Sequence, residues 1–190
     1  VITHIIAKQK LPIQIFTLDT GRLFPESYEL LALTTASYKQ SIETYFPEAK
    51  DVEQYVRTSG VNGFYNSVED RKECCHIRKI LPLKRALHGA DVWITGVRSA
   101  QSANRQQMQK VEWDAVNNVI KYNPLLDWSD DQLKAFIEMH NVPVNTLHKK
   151  GFASIGCAPC TRAIMAGEYA RAGRWWWESP AKECAMHATN

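Results

Sequence analysis

The five cysteines of this chain divide into two pairs and one single residue. Cys74 and Cys75 are adjacent, Cys157 and Cys160 form a Cys-x-x-Cys motif, and Cys184 stands alone near the end of the sequence. Four thiolates make a complete site for structural zinc or for an iron–sulfur cluster. A fold that uses them together must bring two segments that lie far apart in the sequence to one point. The fifth thiol, that of Cys184, is then available for catalysis.

The spacing of the first pair favours an iron–sulfur cluster over zinc. Zinc sites built from two halves usually take Cys-x-x-Cys or a similar spacing from each half, so that all four sulfurs converge on one small ion. The side chains of adjacent cysteines point apart, so both reach the same centre only if that centre is as large as a cubane. We therefore expect Cys74, Cys75, Cys157 and Cys160 to hold a [4Fe–4S] cluster, with structural zinc as the alternative.

Core filling and a disulfide framework both account less well for the cysteines. A single buried cysteine often behaves as a small hydrophobic residue, but two close pairs rarely arise from core filling. A disulfide framework is typical of shorter, cysteine-rich chains, and an odd number of cysteines leaves one thiol over. Reduced cysteines in a cytoplasmic protein are the better interpretation.

The composition is that of an ordinary globular domain. The 190 residues are 45% hydrophobic and 23% charged, which is typical of chains that bury a core without covalent staples. No apolar run approaches the roughly 20 residues of a membrane-spanning helix. The net charge of +3 is too small to indicate nucleic acid by itself. We therefore expect neither a nucleic-acid nor a membrane partner.

Strand and helix patterns alternate along the sequence and predict an α/β fold with a parallel sheet. Strands are expected at 13–18, 42–46 and 92–95, with a pair of short strands within 111–122 about Asn117 and Asn118. Helices are expected at the first residues, from Pro25 to about Ala36, after Pro47 to near Gly60, from a cap at Asp70 through Lys79 to a break or kink at Pro82, after a capping box at Ser129–Gln132, and from about Arg162 to Arg171.

Polar loops follow two of the predicted strands. Residues 19–22 come after the first strand, and Gly96 and Arg98 follow the strand at 92–95, with Arg105 further on. Ligands of parallel sheets bind beyond the carboxyl ends of the strands, and arginine suits compact anions such as phosphate or sulfate. Either loop alone could be an ordinary connection that contains a glycine. Together, with three arginines, they favour a nucleotide site.

The last segment combines arginines, aromatic residues and the fifth thiol. Arg171 and Arg174 precede three consecutive tryptophans, and Cys184 follows a lysine by two residues and precedes His187 by three. Anchoring the chain end on the core is a sufficient role for at least one tryptophan. A thiol beside lysine and histidine near a chain end is typical of a reactive cysteine.

Six segments combine into one pattern that extends over almost the whole chain. They are Leu18–Arg22, Cys74–Cys75 with Arg78–Lys79, Thr95–Arg98, Ile155–Arg162, Gly173–Trp177 and Lys182–Cys184. The double cysteine combined with Cys-x-x-Cys and a terminal Glu-Cys is highly specific. In this pattern the chain resembles the assimilatory adenylyl-sulfate (APS) reductases of the iron–sulfur type, which belong to the phosphoadenylyl-sulfate/adenylyl-sulfate reductase family.

The resemblance implies a fold and an organisation. The fold would be a parallel-sheet, adenine-nucleotide-binding α/β fold of the ATP-pyrophosphatase-like type, with a cluster-bearing C-terminal segment and a mobile tail. The chain would be a single reductase domain, 1–190. It would comprise a nucleotide-binding core at 1–125, a cluster-binding helical part at 126–170 and a catalytic tail at 171–190.

The resemblance also implies a reaction, the thioredoxin-dependent reduction of adenosine 5′-phosphosulfate to sulfite and AMP in sulfate assimilation and cysteine biosynthesis. Cys184 would attack the sulfur, expel AMP and become S-sulfonated, and thioredoxin or a glutaredoxin-like dithiol would release sulfite. Thiol exchange supplies both electrons, so the [4Fe–4S] cluster is expected to organise and polarise the site, with Lys79 between cluster and substrate. The implied substrate-binding residues are Asp19, Thr20, Gly21, Arg22, Lys79, Gly96, Arg98, Arg105, Arg162, Arg171, Arg174 and His187.

The sequence departs from the family pattern at three places. The glycine- and serine-containing phosphate loop is expected upstream of Val1. Ser99 stands where the family usually has a second arginine, and Ala185 and Met186 replace Gly-Leu in the terminal motif.

Three alternative functions stay open. A 3′-phosphoadenosine 5′-phosphosulfate (PAPS) reductase would use the same chemistry on a nucleotide with one more phosphate. A nucleotide-dependent tRNA-thiolating enzyme shares the sheet, but a broader basic surface would be expected and the terminal Glu-Cys stays unexplained. A structural module would contain zinc without iron or sulfide. A homo-oligomer is compatible with each of them.

Overall fold

The computed structural model describes residues 1–178, except for the side chains of residues 103 and 104. These residues form two compact units that interleave along the chain. The first unit comprises residues 1–15, 25–42 and 87–148, and the second comprises residues 16–24, 43–86 and those from 149 onward.

The chain combines helices with strands, two of which pair in parallel, and this confirms the expected α/β class. In chain order they are α1 (Ile2–Gln9), β1 (Ile15–Leu18), α2 (Pro25–Tyr38), β2 (Ile42–Tyr45), α3 (Ala49–Ser59), α4 (Val68–Cys75), α5 (Leu81–Ala86), β3 (Val92–Ile94), β4 (Val111–Asp114), β5 (Val119–Tyr122) and α6 (Asp130–Met139). No helix in residues 1–178 has both the length and the apolar character that a bilayer crossing requires.

The first unit contains a three-stranded sheet in the order β3-β5-β4. β3 pairs with β5 in parallel, with Val92 opposite Ile120, and β4 pairs with β5 antiparallel, with Trp113 opposite the same Ile120. The expected pair of short strands is confirmed. Asn118 lies in their connecting turn with a φ of 55°, a left-handed conformation that asparagine tolerates better than most residues.

The local capping signal of α6 is confirmed. Ser129 Oγ accepts a hydrogen bond from the Gln132 N–H at 3.1 Å, and Gln132 Oε1 accepts one from the Ser129 N–H at 2.9 Å. Each side chain therefore satisfies a backbone donor that the first turn of a helix leaves unpaired.

The cysteine-bearing helix α4 begins earlier than expected, so the prediction of a cap at Asp70 is wrong. Ser67 is the cap, because its Oγ accepts from the Asp70 N–H at 2.9 Å. After Cys75 the chain passes through one π-helical turn at His76–Ile80 before α5 begins. This π-helical turn interrupts the regular α-helix, and Pro82 is the second residue of α5, which begins directly after it.

Residues 162–171 form irregular structure and turns, so the expected helix there is wrong. An antiparallel bridge joins Thr161 to Arg174 and folds the segment back on itself. Within it, Gly167 has a φ of 87°, a left-handed conformation that interrupts any right-handed helix.

The core of the second unit surrounds the four paired cysteines. Tyr55, Phe64, Ile77 and Trp175 are buried with them in one cluster. β1 and β2 form a two-stranded sheet. Directly after β1 the Asp19 N–H donates to the Tyr45 carbonyl at 2.9 Å, which places the loop that follows β1.

Candidate active site

The second unit brings the four paired cysteines to one cavity. Cys74 and Cys75 are the last two residues of α4. Cys157 directly precedes a short 3-10 turn at Ala158–Cys160, and Cys160 is the last residue of that turn. All four are buried thiols. They line a small cavity that is partly open to solvent. Two segments that are distant in the sequence therefore meet at one point.

The loop after β1 positions the Cys-x-x-Cys turn. Thr20 Oγ1 lies 3.2 Å from Cys157 Sγ, and the Ala158 N–H donates to the Arg22 carbonyl at 2.8 Å. Thr161 Oγ1 donates to the Cys157 carbonyl at 2.9 Å and closes the turn on its other side. The Thr20 side chain and the Arg22 carbonyl of the loop after β1 thus hold the turn that carries Cys157 and Cys160.

Two of the thiols in this cavity, Cys74 and Cys160, are costly to ionise. Burial, together with the neighbouring thiols, raises the pKa of Cys160 to about 12, while Lys79 lowers it. Burial also raises the pKa of Cys74, and Arg78 opposes that shift. Four thiolates can coexist here only with compensating positive charge, which a bound metal centre and the nearby cations both provide.

The residues present fit an iron–sulfur centre by the chemistry of the donor set. Four buried thiols face one cavity, and the cations Arg22, Arg71, Arg78 and Lys79 line the same cavity. Within residues 1–178, no set of three or more His, Cys, Asp or Glu side chains has the arrangement of a site for a metal ion.

Two expected substrate ligands, Arg22 and Lys79, lie in the wall of this cavity. Arg22 donates to the Val61 carbonyl at 2.7 Å and to Asn62 Oδ1 at 2.8 Å, and its guanidinium lies 4.8 Å from the Phe64 ring centroid. Lys79 is buried in the π-helical turn. Such turns are frequent at functional sites.

Two cations of the cavity, Arg78 and Arg71, are not among the residues expected from the sequence to bind substrate. Arg78 belongs to the family motif, and its Nη1 donates to the Thr20 carbonyl at 2.7 Å. Arg71 precedes Cys74 and Cys75 by three and four residues. On a helix these spacings place side chains on one face, so the sequence does contain a signal for Arg71.

Three further arginines that were expected to bind substrate, Arg162, Arg171 and Arg174, differ in their burial and contacts. Arg174 lies 4.9 Å from the ring centroid of the fully buried Trp175 and donates to the Ile155 carbonyl at 3.1 Å. Arg171 is half-buried. Both Nη atoms of Arg162 donate hydrogen bonds to the Glu168 carboxylate at 2.8 Å. These bonds, together with one from the Met165 N–H, lower the pKa of Glu168 to about 2. Arg162 therefore already forms an ion pair with Glu168.

The remaining expected residues fall into three places. In the loop after β1, Asp19 Oδ1 accepts from the Gly21 N–H at 2.7 Å, and the φ of 70° at Gly21 favours glycine. Gly96, Arg98 and Arg105 belong to the first unit, where Arg98 donates to Asp130 at 2.6 Å and Arg105 donates to Gln101. Cys184 and His187 lie outside the described residues.

Gly173 lies against the backbone of the Cys-x-x-Cys segment, and an added methyl group would damage this packing. A Cβ at position 173 would overlap the Arg162 carbonyl oxygen, a backbone atom that cannot rotate away. Gly173→Ala is expected to lower the free energy of unfolding by about 1–3 kcal/mol, the usual cost of overpacking. Urea titration under anaerobic conditions would measure it. An unchanged midpoint would contradict the close contact.

Comparison with known proteins identifies the class to which this fold and cysteine site belong. Residues 1–163 match the phosphoadenosine phosphosulfate reductase domain, so the chain belongs to this reductase family. Relatives that carry a more specific name are similar over nearly the whole chain. The adenosine 5′-phosphosulfate reductase of Allochromatium vinosum is 53% identical over 188 residues, which cover 98% of this chain and 73% of that protein. The Agrobacterium fabrum protein of the same name is 50% identical over 188 residues, with 98% and 72% covered.

A solved structure supports the same assignment. The crystal structure of phosphoadenylyl-sulfate (PAPS) reductase from Candida auris, a phosphate complex, has a TM-score of 0.71 against this chain. The two are 29% identical, and the match covers 85% of this chain and 76% of that one. The expected fold class and family are therefore confirmed.

Proposed function

We propose that this protein reduces adenosine 5′-phosphosulfate to sulfite and AMP with electrons from thioredoxin or a glutaredoxin-like dithiol. The observation that carries the proposal is the cavity in which four buried cysteines meet four cationic side chains. The relatives support the choice of substrate, because those that are half identical over 98% of the chain are named for it. The proposed setting is sulfate assimilation in the cytoplasm, where thiols stay reduced.

The proposed chemistry has two thiol-exchange steps. The Cys184 thiolate attacks the substrate sulfur, the bond from sulfur to the phosphate oxygen breaks, and AMP leaves with that electron pair. Cys184 is then S-sulfonated. A thiolate of the dithiol protein attacks Cys184 Sγ and sulfite leaves with the second electron pair. The other thiol of the dithiol protein resolves the mixed disulfide, so two thiols are oxidised as the sulfur is reduced from the +6 to the +4 state.

The cationic residues are proposed to bind the anionic parts of the substrate. Negative charge lies on the sulfonyl oxygens and grows on the leaving phosphate, so donors placed there stabilise the transition state. Arg22 and Lys79 would act from the cavity wall and Arg174 from beside Trp175. The further proposed contacts are Asp19, Thr20, Gly21, Gly96, Arg98, Arg105, Arg162, Arg171 and His187.

Cys74, Cys75, Cys157 and Cys160 are proposed to hold a [4Fe–4S] cluster. When bound, the cluster would supply a compact anionic group that polarises the site. Lys79, buried near Cys160 and lowering the pKa of that thiol, is the residue proposed to connect the cluster charge to the substrate.

A PAPS reductase is the second candidate, because the similar solved structure carries that name. The same thiol chemistry would act on a nucleotide with an additional 3′-phosphate, which would need a cationic partner. The two are distinguished by kcat/KM for each nucleotide with the same full-length enzyme. A higher value for the 3′-phosphorylated nucleotide would favour this candidate.

The proposed function is tested on full-length protein purified without oxygen. With reduced thioredoxin and adenosine 5′-phosphosulfate we expect sulfite and AMP in equal amounts, together with iron and sulfide in the protein. Thioredoxin-dependent sulfite formation that is absent at every nucleotide concentration would overturn the proposal. Zinc without iron or sulfide would support the structural module instead.

The arginine hypothesis makes a quantitative prediction. A charge-assisted hydrogen bond contributes about 1.5–3 kcal/mol, so replacing Arg22, Arg98, Arg171 or Arg174 singly with alanine should reduce kcat/KM by roughly 10- to 150-fold. Lysine should restore only part of the loss, because the bidentate fork is absent. Arg57→Ala, an exposed arginine on α3, is the matched control. Values within twofold of wild type for all four variants would place the anion site elsewhere.

A further inference from the structure

The second unit contains a buried charged pair that is not among the proposed substrate contacts. Arg71 Nε and Nη2 donate to the two carboxylate oxygens of Glu178 at 2.8 and 2.9 Å. Only 5% of the Arg71 side chain and 8% of the Glu178 side chain are exposed. Two parallel hydrogen bonds between planar groups fix orientation as well as distance.

Each partner of this pair belongs to a functional segment. Arg71 lies on α4, lines the cysteine cavity and has its guanidinium carbon 4.6 Å from the ring centroid of Trp175. Arg71 therefore interacts with the cysteine site on one side and with Glu178 on the other.

A backbone hydrogen bond holds Glu178 in the turn that carries it. Its N–H donates to the Trp175 carbonyl at 2.9 Å, and Trp175 is fully buried against the cysteine cluster. The pair thus joins the helix that carries Cys75 to the turn at Trp175–Glu178. Cys184 follows that turn in the sequence by six residues.

A role in stability alone does not account for this arrangement. Removing two charges from water costs about as much free energy as their attraction returns, so a buried pair is weak evidence for stability. What a bidentate pair does provide is a defined geometry. The geometry defined here is that of the segment immediately before the proposed nucleophile, relative to the proposed cluster ligands.

We propose that Arg71 and Glu178 form a positioning pair that holds the turn at Trp175–Glu178 against the cysteine-bearing helix and so sets the approach of Cys184 to the substrate. The proposal rests on the proposed function. Neither side chain is assigned contact with the reacting atoms. Arg71 acts through Glu178, and Glu178 through the turn that precedes Cys184.

The test uses full-length, cluster-containing protein and the variant Glu178→Gln, which keeps the shape of the side chain and removes its charge. Single-turnover S-sulfonation of Cys184 by adenosine 5′-phosphosulfate, without thioredoxin, is followed by mass spectrometry. We expect the rate constant to fall about tenfold or more while the nucleotide Kd changes less than about threefold, a split that indicates lost transition-state positioning. Iron content should stay at the wild-type level. Arg71→Lys should show the same pattern, because it keeps the charge and loses the fork.

The matched control breaks a different buried pair. Lys121 Nζ and Glu112 Oε1 lie 2.7 Å apart in the first unit, and the two side chains are 6% and 19% exposed. Glu112→Gln should lower the Tm by an amount comparable to Glu178→Gln and leave the sulfonation rate unchanged. Equal rates in Glu178→Gln and wild type would overturn the positioning role, as would an equal loss of rate in both glutamine variants. If Glu178→Gln does not accumulate, Arg71→Lys decides by the same measurements.

A second measurement separates this proposal from the proposed function. Alkylation of Cys184 by iodoacetamide needs no nucleotide, so it reports on the surroundings of the thiol even if wild-type protein forms no sulfonate. A missing sulfonate in wild type would refute the proposed function. A Cys184 alkylation rate that differs less than twofold between wild type, Glu178→Gln and Glu112→Gln would refute the positioning pair.

Discussion

Replacing Cys75 with serine is expected to remove the iron, the sulfide and the visible absorbance of the anaerobically purified protein. Serine is a poor ligand for iron, and the buried cavity would then offer only the three remaining thiolates Cys74, Cys157 and Cys160. The same loss is expected for serine at each of those three positions. The measurements are the absorbance spectrum and the amounts of iron and sulfide per chain.

Cys184→Ser is the matched control, since it removes a thiol that is assigned to catalysis. We expect it to keep the full brown chromophore. A Cys184 variant without chromophore, together with a Cys75 variant that retains it, would show that the division of the five cysteines is wrong.

Cys184→Ser is also expected to abolish sulfite formation while leaving nucleotide binding intact. Serine lacks the nucleophilicity of a thiolate. With wild-type full-length protein and adenosine 5′-phosphosulfate alone, the peptide that contains Cys184 should gain one SO₃ unit of about 80 Da, as expected for a covalent intermediate. Reduced thioredoxin should remove this mass and release sulfite.

Two results would contradict the assignment of the nucleophile. An active serine variant would mean that Cys184 is a spare thiol. Sulfite formation without any adduct on Cys184 would mean that thioredoxin attacks the substrate directly. Nucleotide binding, measured separately by calorimetry, distinguishes loss of chemistry from loss of the substrate site.

Local signals in the sequence predicted most of the elements to within a few residues. Pro25 begins α2 and the capping box at Ser129 begins α6, because both signals act through neighbouring backbone groups. The helix expected at 162–171 was wrong for the opposite reason. Its conformation depends on the bridge between Thr161 and Arg174, a pairing across the turn that local periodicity does not report.

The same distinction applies to the two residues of the positioning pair. Arg71 can be found from its helical spacing to Cys74 and Cys75. Glu178 cannot, because its partner Arg71 is more than 100 residues away. An acidic residue after three tryptophans indicates no pairing by itself.

What the sequence determined by itself is the set of reactive groups and their class of chemistry. Four cysteines in two pairs with a fifth near the end, together with the motifs around them, were enough to predict the family that the comparisons confirm. Residue type and short spacing carry this information, since ligation and nucleophilic attack depend first on which atoms are present.

Only the tertiary structure decided which charges accompany those groups. Burial raises the pKa of Cys160. Arg71 forms a buried ion pair with Glu178, whereas Arg162 pairs with Glu168. These outcomes depend on which side chains share a low-dielectric space, where the strength of an electrostatic interaction is set by distance and desolvation. Distances between segments far apart in the chain are properties of the folded packing, and residue spacing alone does not contain them.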